Sequence, residues 1–183
     1  MKALFYPADI FVVKGTSPFL SDAIAEMTKE EGQPAGVSHA FVSVGEGENP
    51  EIIEAVFPRV RKVKLSEALK TAEYALCLRP IGMTGFQRAH VVMEALKHEG
   101  ELYGLDRYLA LFPGALLKSD FLQELNLTPK FPVCSELCGL CLQAAGWSFG
   151  EDPAGLLPSE MLAWARRETD RWRIFSVDCP LSG

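Results

Sequence analysis

The segment SHAFVSVGEGENPEIIEAVF, residues 38–57, holds two β-rich runs separated by turn formers. SHAFVSV and EIIEAVF read as strands, and GEGEN between them as the turn of a hairpin. Strand periodicity puts His39, Phe41 and Ser43 on one face and Ala40, Val42 and Val44 on the other. Pairing Val44 with Glu51 sets Glu54 opposite Phe41 and His39 opposite Val56. His39 and Glu54 then share a face as diagonal neighbours, roughly 7–8 Å apart and within reach of long side chains. A slip of two residues keeps them together, whereas a slip of one sends them to opposite faces. A histidine on a covered face needs a polar partner. Glu54 is placed to supply it, fixing the tautomer of the ring and favouring its charged form. Taken alone, the pair fits an ordinary buried hydrogen bond as well as a functional one. Glu46, Glu48 and Glu51 read as solvent-facing.

The flanking sequence supplies more strands and several helices. ADIFVVKG (8–15) is a short apolar strand. SPFLSDAIAEMTKEEG (17–32) starts with Ser17 as N-cap and Pro18 in the first turn, carries Phe19, Ala23, Ile24 and Met27 at helical spacing, and stops at Gly32. RVRKVKL (59–65) stays extended. Its alternation of Val60 and Val63 with cations reads as a sheet edge guarded by charge. SEALKTA (66–72) is a short helix and YALCLRPI (74–81) a strand. TGFQRAHVVMEALKHEG (84–100) is a helix capped by Thr84 and closed by Gly100, and the chain from Glu101 is helical to Leu111. LPSEMLAWARR (157–167) and WRIFSV (172–177) give a last helix and strand. With no repeat, linker or low-complexity tract, residues 1–183 read as one α+β domain.

Composition narrows the function. The 183 residues are 48% hydrophobic and 23% charged, with a net charge of −6, which argues against a nucleic-acid footprint, since that needs a basic face. No apolar run reaches the ~18–20 residues of a membrane span. Pro7 and Asp9 interrupt the apolar N-terminus, so no signal peptide is expected and the protein is expected in the cytosol. Five cysteines, an odd number unevenly spaced, are expected to be reduced thiols.

Three of those cysteines fall in FPVCSELCGLCLQAAG (131–146). Their spacing is that of the cluster loop of radical-SAM enzymes, but the intervening residues are helix formers. On a helix, Cys134, Cys138 and Cys141 form one stripe. A zinc site would want a fourth ligand, and the nearest histidine and further cysteine are the distant His98 and Cys179. No metal and no cofactor is expected. Cys138 and Cys141 read as small buried hydrophobes. Cys134 differs: Pro132 forbids helix just before it and Ser135 begins a helical run, so its thiol sits at a helix N-terminus. Unpaired backbone N–H groups and the helix dipole favour an anion there, and the same N–H groups can hold an oxyanion. Such a setting, with an imidazolium nearby, lowers a thiol pKa by several units.

A reactive thiol needs a base, and the chain has three histidines. His98 reads as a surface residue in the last turn of its helix, and His90 as structural. His39, paired with Glu54, is the candidate. GVSHA around it resembles a GxSxG nucleophile elbow with Ala40 replacing the last glycine. An elbow turns from strand into helix, whereas a strand follows Ser38 here.

These residues, in this order, resemble the YiiX/YebB-type branch of the NlpC-like papain-fold peptidases, whose chain is circularly permuted so that histidine precedes cysteine. ADIFVVKG matches the opening "GDI" strand, SHAFVSV the histidine strand, IIEAV the acid strand, FPVCSEL the cysteine motif and LPSEML a segment near the end. Ala8 stands where the family has glycine. The resemblance implies a permuted papain-like fold, a small antiparallel sheet packed on the cysteine-bearing helix. It also implies a cysteine peptidase or amidase with Cys134 as nucleophile, His39 as base and Glu54 as orienting acid. Tyr103 answers to a tyrosine thought to shape the pocket, although Gly104 rather than an aspartate follows it. Ser135, beside the thiol, is a second candidate for substrate contact. A small peptide or acyl group is the expected partner. Two alternatives stand beside this reading. One is a lipid acyltransferase or thioesterase of the lecithin–retinol type, whose motif usually has a histidine that CSELCGL lacks. The other is a non-catalytic module that binds a small ligand.

Overall fold

A computed structural model describes residues 3–15, 36–56, 59–102, 134–150 and 152–179. The hairpin lies in the expected register. β1 (Ile10–Gly15) precedes it, and β2 (His39–Ser43) pairs antiparallel with β3 (Glu51–Val56), setting Phe41 opposite Glu54 and Val42 opposite Ile53. Val44 N–H donates to the Glu51 carbonyl at 2.9 Å and closes the turn. With β4 (Arg59–Lys64), β5 (Ala72–Pro80) and β6 (Trp172–Val177), the strands form one six-stranded antiparallel sheet in the order β4-β3-β2-β1-β5-β6. Four helices are described: α1 (Leu65–Ala68), α2 (Gly85–Lys97), α3 (Cys134–Gln143) and α4 (Pro158–Arg167). The architecture is mixed α+β. The expected helix over 17–32 and the helical stretch ending at Leu111 lie outside the described residues. No helix among the described residues is long and apolar enough to cross a membrane.

Antiparallel sheets commonly leave one face to water. Here IFVV, HAFVS and EIIEAV bury both. One face packs Ile10, Val12, Ala40, Val42, Ile53 and Ala55 against α2, α3 and α4. The other gathers Phe11, Val13, Phe41 and Ile52 with Phe5, Leu65 and Leu69, and Phe11 stacks on Phe41 with ring centroids 5.3 Å apart. The alternation in the hairpin therefore separates two apolar layers rather than core from solvent. The helical segment expected over 66–72 lies one residue earlier, as α1 followed by a 3-10 turn at Leu69–Thr71. Leu65 and Leu69 are both drawn into the core, Lys64 offers no side-chain cap, and β5 begins at Ala72, two residues before the expected Tyr74.

Local signals fix the other ends. Thr84 caps α2 in a reciprocal box with Gln87: the Thr84 Oγ1 accepts from Gln87 N–H at 3.2 Å, and Gln87 Oε1 accepts from Thr84 N–H at 2.9 Å. Gly100, at φ +89°, turns the chain back so that its N–H donates to the Val60 carbonyl at 2.9 Å. β4 is indeed an edge strand, and residues beyond α2 cover part of it.

Asp9 is fully buried at the start of β1. Arg79 of β5 grips it side-on, with Nη2 2.7 Å from Oδ2 and Nε 3.0 Å from Oδ1, and Tyr6 N–H donates to Oδ2 at 2.9 Å. Ala8 beside it has φ +69°, a conformation that costs a residue with a Cβ about 1–2 kcal/mol. Ala8 is held in place by its own N–H to the Ser43 carbonyl and by the Asp9 carbonyl, which accepts from Ser43 N–H.

Two stability predictions follow from these contacts. Asp9→Ala strands the Arg79 guanidinium and should lower the unfolding free energy by about 3–5 kcal/mol in urea titration. In a helix interior, glycine to alanine ordinarily adds about 1 kcal/mol. At Gly139 of α3 the new Cβ would lie 2.7 Å from Pro153 Cβ, on a rigid ring, and 3.3 Å from Leu156 Cδ2. Overpacking of this kind costs about 1–3 kcal/mol, so Gly139→Ala should lower the melting temperature rather than raise it.

Candidate active site

His39 is the first residue of β2 and Cys134 the first of α3, and α3 packs along β2 and β3. His39 Nε2 lies 2.9 Å from Glu54 Oε2. The ring is also hydrogen-bonded to the Cys134 thiol group. With Nε2 engaged by Glu54, Nδ1 is the nitrogen left for sulfur. The histidine expected from the hairpin and the cysteine expected from the helix start are thus brought together, with the acid behind the ring. Phe41 flanks the imidazole, ring centroids 5.7 Å apart, and limits its tilt. The Cys134 residue is 1% exposed and the Glu54 side chain 3%, while the His39 side chain keeps 23%.

Electrostatics favour the charged form of this ring. Burial lowers the His39 pKa, but the charge and hydrogen bond of Cys134, then the hydrogen bond and charge of Glu54, outweigh it and push the imidazole up to about 10. Burial likewise raises the Glu54 pKa, yet the His39 hydrogen bond and charge, followed by the charge and hydrogen bond of Arg61, hold the carboxyl below its ordinary range. At neutral pH the ring is therefore an imidazolium between two acidic groups, with both nitrogens as donors.

Arg61 was read from the sequence only as part of a charged edge. It stands directly opposite Glu54 in the β3–β4 ladder and donates to Glu54 Oε1 from Nε at 2.9 Å and from Nη2 at 2.7 Å. The signal was present: extending the hairpin logic past Phe57 and Pro58 pairs Glu54 with Arg61.

The remaining cysteines differ from Cys134. Cys138 and Cys141 lie in the apolar core, as expected, and burial pushes both thiols up. Cys77 and Cys179 are also held up, chiefly by burial. Among the described residues no three His, Cys, Asp or Glu side chains group as a metal site would need.

Other expected positions need correction or fall elsewhere. Ser135, a candidate for substrate contact, is buried at 1% exposure, and its hydroxyl donates to the Leu156 carbonyl. That bond ties α3 to the segment before α4 and leaves the hydroxyl committed. Tyr103 lies outside the described residues. His98, read as a surface residue, is half-buried, with Nδ1 2.7 Å from Glu101 Oε2. His90 packs against the Phe86 ring, centroids 4.3 Å apart. Ser38 enters a strand rather than a helix and donates its N–H to the Val13 carbonyl, so it is no nucleophile elbow. A scan against protein-family models and a search of curated proteins both find no match to this chain.

The charged state of the ring is directly measurable. In an NMR titration the His39 imidazole should remain protonated at pH 8 and titrate near pH 10, and Cys134→Ala should lower that midpoint by removing the largest raising influence. The sign for stability follows. His39 titrates above its ordinary value of 6.5 when folded, so its contribution is complete below pH 6.5 and fades as pH climbs through about 10. Glu54 titrates below its ordinary 4.5, so its contribution is present above 4.5 and is lost as pH falls through the lowered value. The stability gap between wild type and His39→Gln should therefore narrow from pH 6.5 upward in urea unfolding.

Proposed function

We propose that the chain is a thiol hydrolase that cleaves an amide bond, with Cys134 as nucleophile, His39 as general acid and base, and Glu54 as the group that orients His39. One observation carries this reading: the sulfur of Cys134, the imidazole of His39 and the carboxylate of Glu54 form one hydrogen-bonded line. The order of the motifs supports a permuted papain-like unit of the YiiX/YebB-type as its framework, and the α+β architecture with an antiparallel sheet against the cysteine helix is compatible with it.

The chemistry follows from the groups present. The Cys134 thiolate attacks the substrate carbonyl carbon, and the π electrons move onto oxygen. Cys134 N–H, at the start of α3, is one donor to that oxyanion; preorganised donors of this kind are worth 10²–10³ in rate. The His39 imidazolium gives its proton to the departing nitrogen as the C–N bond breaks, leaving a thioester on Cys134 and a neutral ring. His39 next takes a proton from water, hydroxide oxygen adds to the thioester carbon, and collapse expels the thiolate beside a re-formed imidazolium. Through both halves Glu54 accepts from Nε2–H, so the ring presents the same nitrogen to sulfur and substrate. The substrate class is a small peptide or peptide-like amide.

Acyl esters of the lecithin–retinol type are the comparison that tests the amide assignment. Peptidoglycan-derived peptides and acyl esters, incubated with the protein and read by mass spectrometry, should give amide cleavage in preference to ester turnover. Cys134→Ala should abolish it, and His39→Ala should reduce it by about 10²–10⁴-fold, the usual worth of a positioned acid–base group. Cys138→Ala should leave Cys134 as the site labelled by a thiol-directed probe. Saturable binding with no product at any pH would replace the hydrolase with a binding module.

A further inference from the structure

We infer that Arg61 is a positioning residue of this site, locking the Glu54 carboxylate so that one oxygen is always presented to His39. The inference deepens the hydrolase reading and rests on it for its catalytic meaning, while its geometric content stands on the contacts alone.

A glutamate carboxylate turns readily about its last bond, and a histidine that holds one oxygen leaves the other free to swing. Here the two oxygens are divided. His39 Nε2 takes Oε2 at 2.9 Å, and Arg61 takes Oε1 with two nitrogens, at 2.7 and 2.9 Å. Rotation of the carboxylate breaks three contacts at once. The division is built into the sheet: β2 presents His39, β3 presents Glu54, and β4 presents Arg61 directly across the ladder. His39 and Arg61 exert the largest charge effects on Glu54, and Cys134 of α3 acts on the His39 ring.

Charge explains why an arginine serves here. The Glu54 side chain is 3% exposed, and a buried carboxylate without a cation tends to take up a proton. His39 is an intermittent cation in the proposed cycle, because it is neutral once its proton has gone to the leaving group. Arginine cannot be deprotonated in a protein, so Glu54 keeps one permanent counter-ion and remains an acceptor while the ring is neutral. The Arg61 side chain, 48% exposed on an edge strand, keeps part of its hydration, which limits its own desolvation cost.

The test uses Arg61→Gln and Arg61→Lys in the otherwise intact protein, each first compared with wild type by circular dichroism and thermal melting. Two NMR signatures are then read: the Glu54 side-chain carboxyl titration and the solvent exchange of the His39 Nε2–H proton. In Arg61→Gln the Glu54 midpoint should move upward, and Nε2–H should exchange at least about tenfold faster, the loss expected when a charge-assisted hydrogen bond is loosened. Arg61→Lys, which keeps the charge and loses the fork, should restore the midpoint more fully than the exchange protection. A purely structural arginine would lower the melting temperature and leave both signatures where they were. Unchanged signatures in a folded Arg61→Gln, or in Arg61→Lys if Gln does not fold, overturn the inference. Iodoacetamide labelling of wild type separates this from failure of the hydrolase reading. If Cys134 reacts no faster than the other four thiols, the hydrolase reading falls, while shifted signatures in the variants would still establish Arg61 as the residue that holds the pair.

Discussion

A carboxylate taken out of water must be met by donors on both oxygens, and that requirement organises this molecule around Glu54. Its side chain is 3% exposed, with a histidine on one oxygen and an arginine on the other. The two partners sit on the strands either side of it, so the requirement is met only if three strands pair in a single register. A slip of one residue between β2 and β3 would send His39 to the opposite face and leave the carboxylate with one cation in an apolar layer. The polar line thus depends on the sheet, and it also penalises every misregistered sheet. Buried polar groups of this kind cost little when fully satisfied and a great deal when half satisfied.

The two-layered core decides which cysteine can join that line. α3 is buried nearly all round, and Cys134, Cys138 and Cys141 are each at most 1% exposed, so exposure does not distinguish them. Position along the helix does. Cys138 and Cys141 have hydrocarbon around them, which raises the energy of a thiolate. Cys134 opens the helix, and it has an imidazolium for a neighbour. The same stripe of side chains therefore contains two inert packing residues and one that chemistry can use.

The sequence made this arrangement legible in parts, and the reasons are local. The β2–β3 register could be read because GEGEN limits the turn and the hydrophobic alternation tolerates few pairings. The helix at Cys134 could be read because Pro132 forbids helix before it and SELCGL favours helix after it. Arg61 was missed because RVRKVK satisfies the description of a guarded edge strand so well that no single cation stands out. Only pairing it with Glu54 through the next hairpin singles it out. The commitment of the Ser135 hydroxyl to a structural bond has a different origin. Sequence adjacency to a nucleophile says nothing about direction, and on a helix the next residue points about 100° away, here toward the Leu156 carbonyl. Asp9 carried no recognisable signal, since its partner Arg79 lies 70 residues away and the pairing exists only once β1 and β5 are neighbours.

Asp9 and Glu54 are two solutions to one problem, and their contrast clarifies what the site is suited for. Both are buried carboxylates in or beside a sheet strand, and both accept from arginine. Asp9 is saturated by permanent donors, a guanidinium and a backbone N–H, and it anchors a strained Ala8 at the start of β1. Glu54 instead divides its oxygens between a permanent cation and one whose proton can leave. A carboxylate meant only to hold strands together gains nothing from the second kind of partner, which weakens the bond whenever the proton departs. In the proposed cycle the departure is itself the work performed, and Arg61 keeps the carboxylate ionised until the proton returns. That asymmetry, and not burial or charge alone, separates the His39–Glu54 pair from the structural ion pair a few strands away.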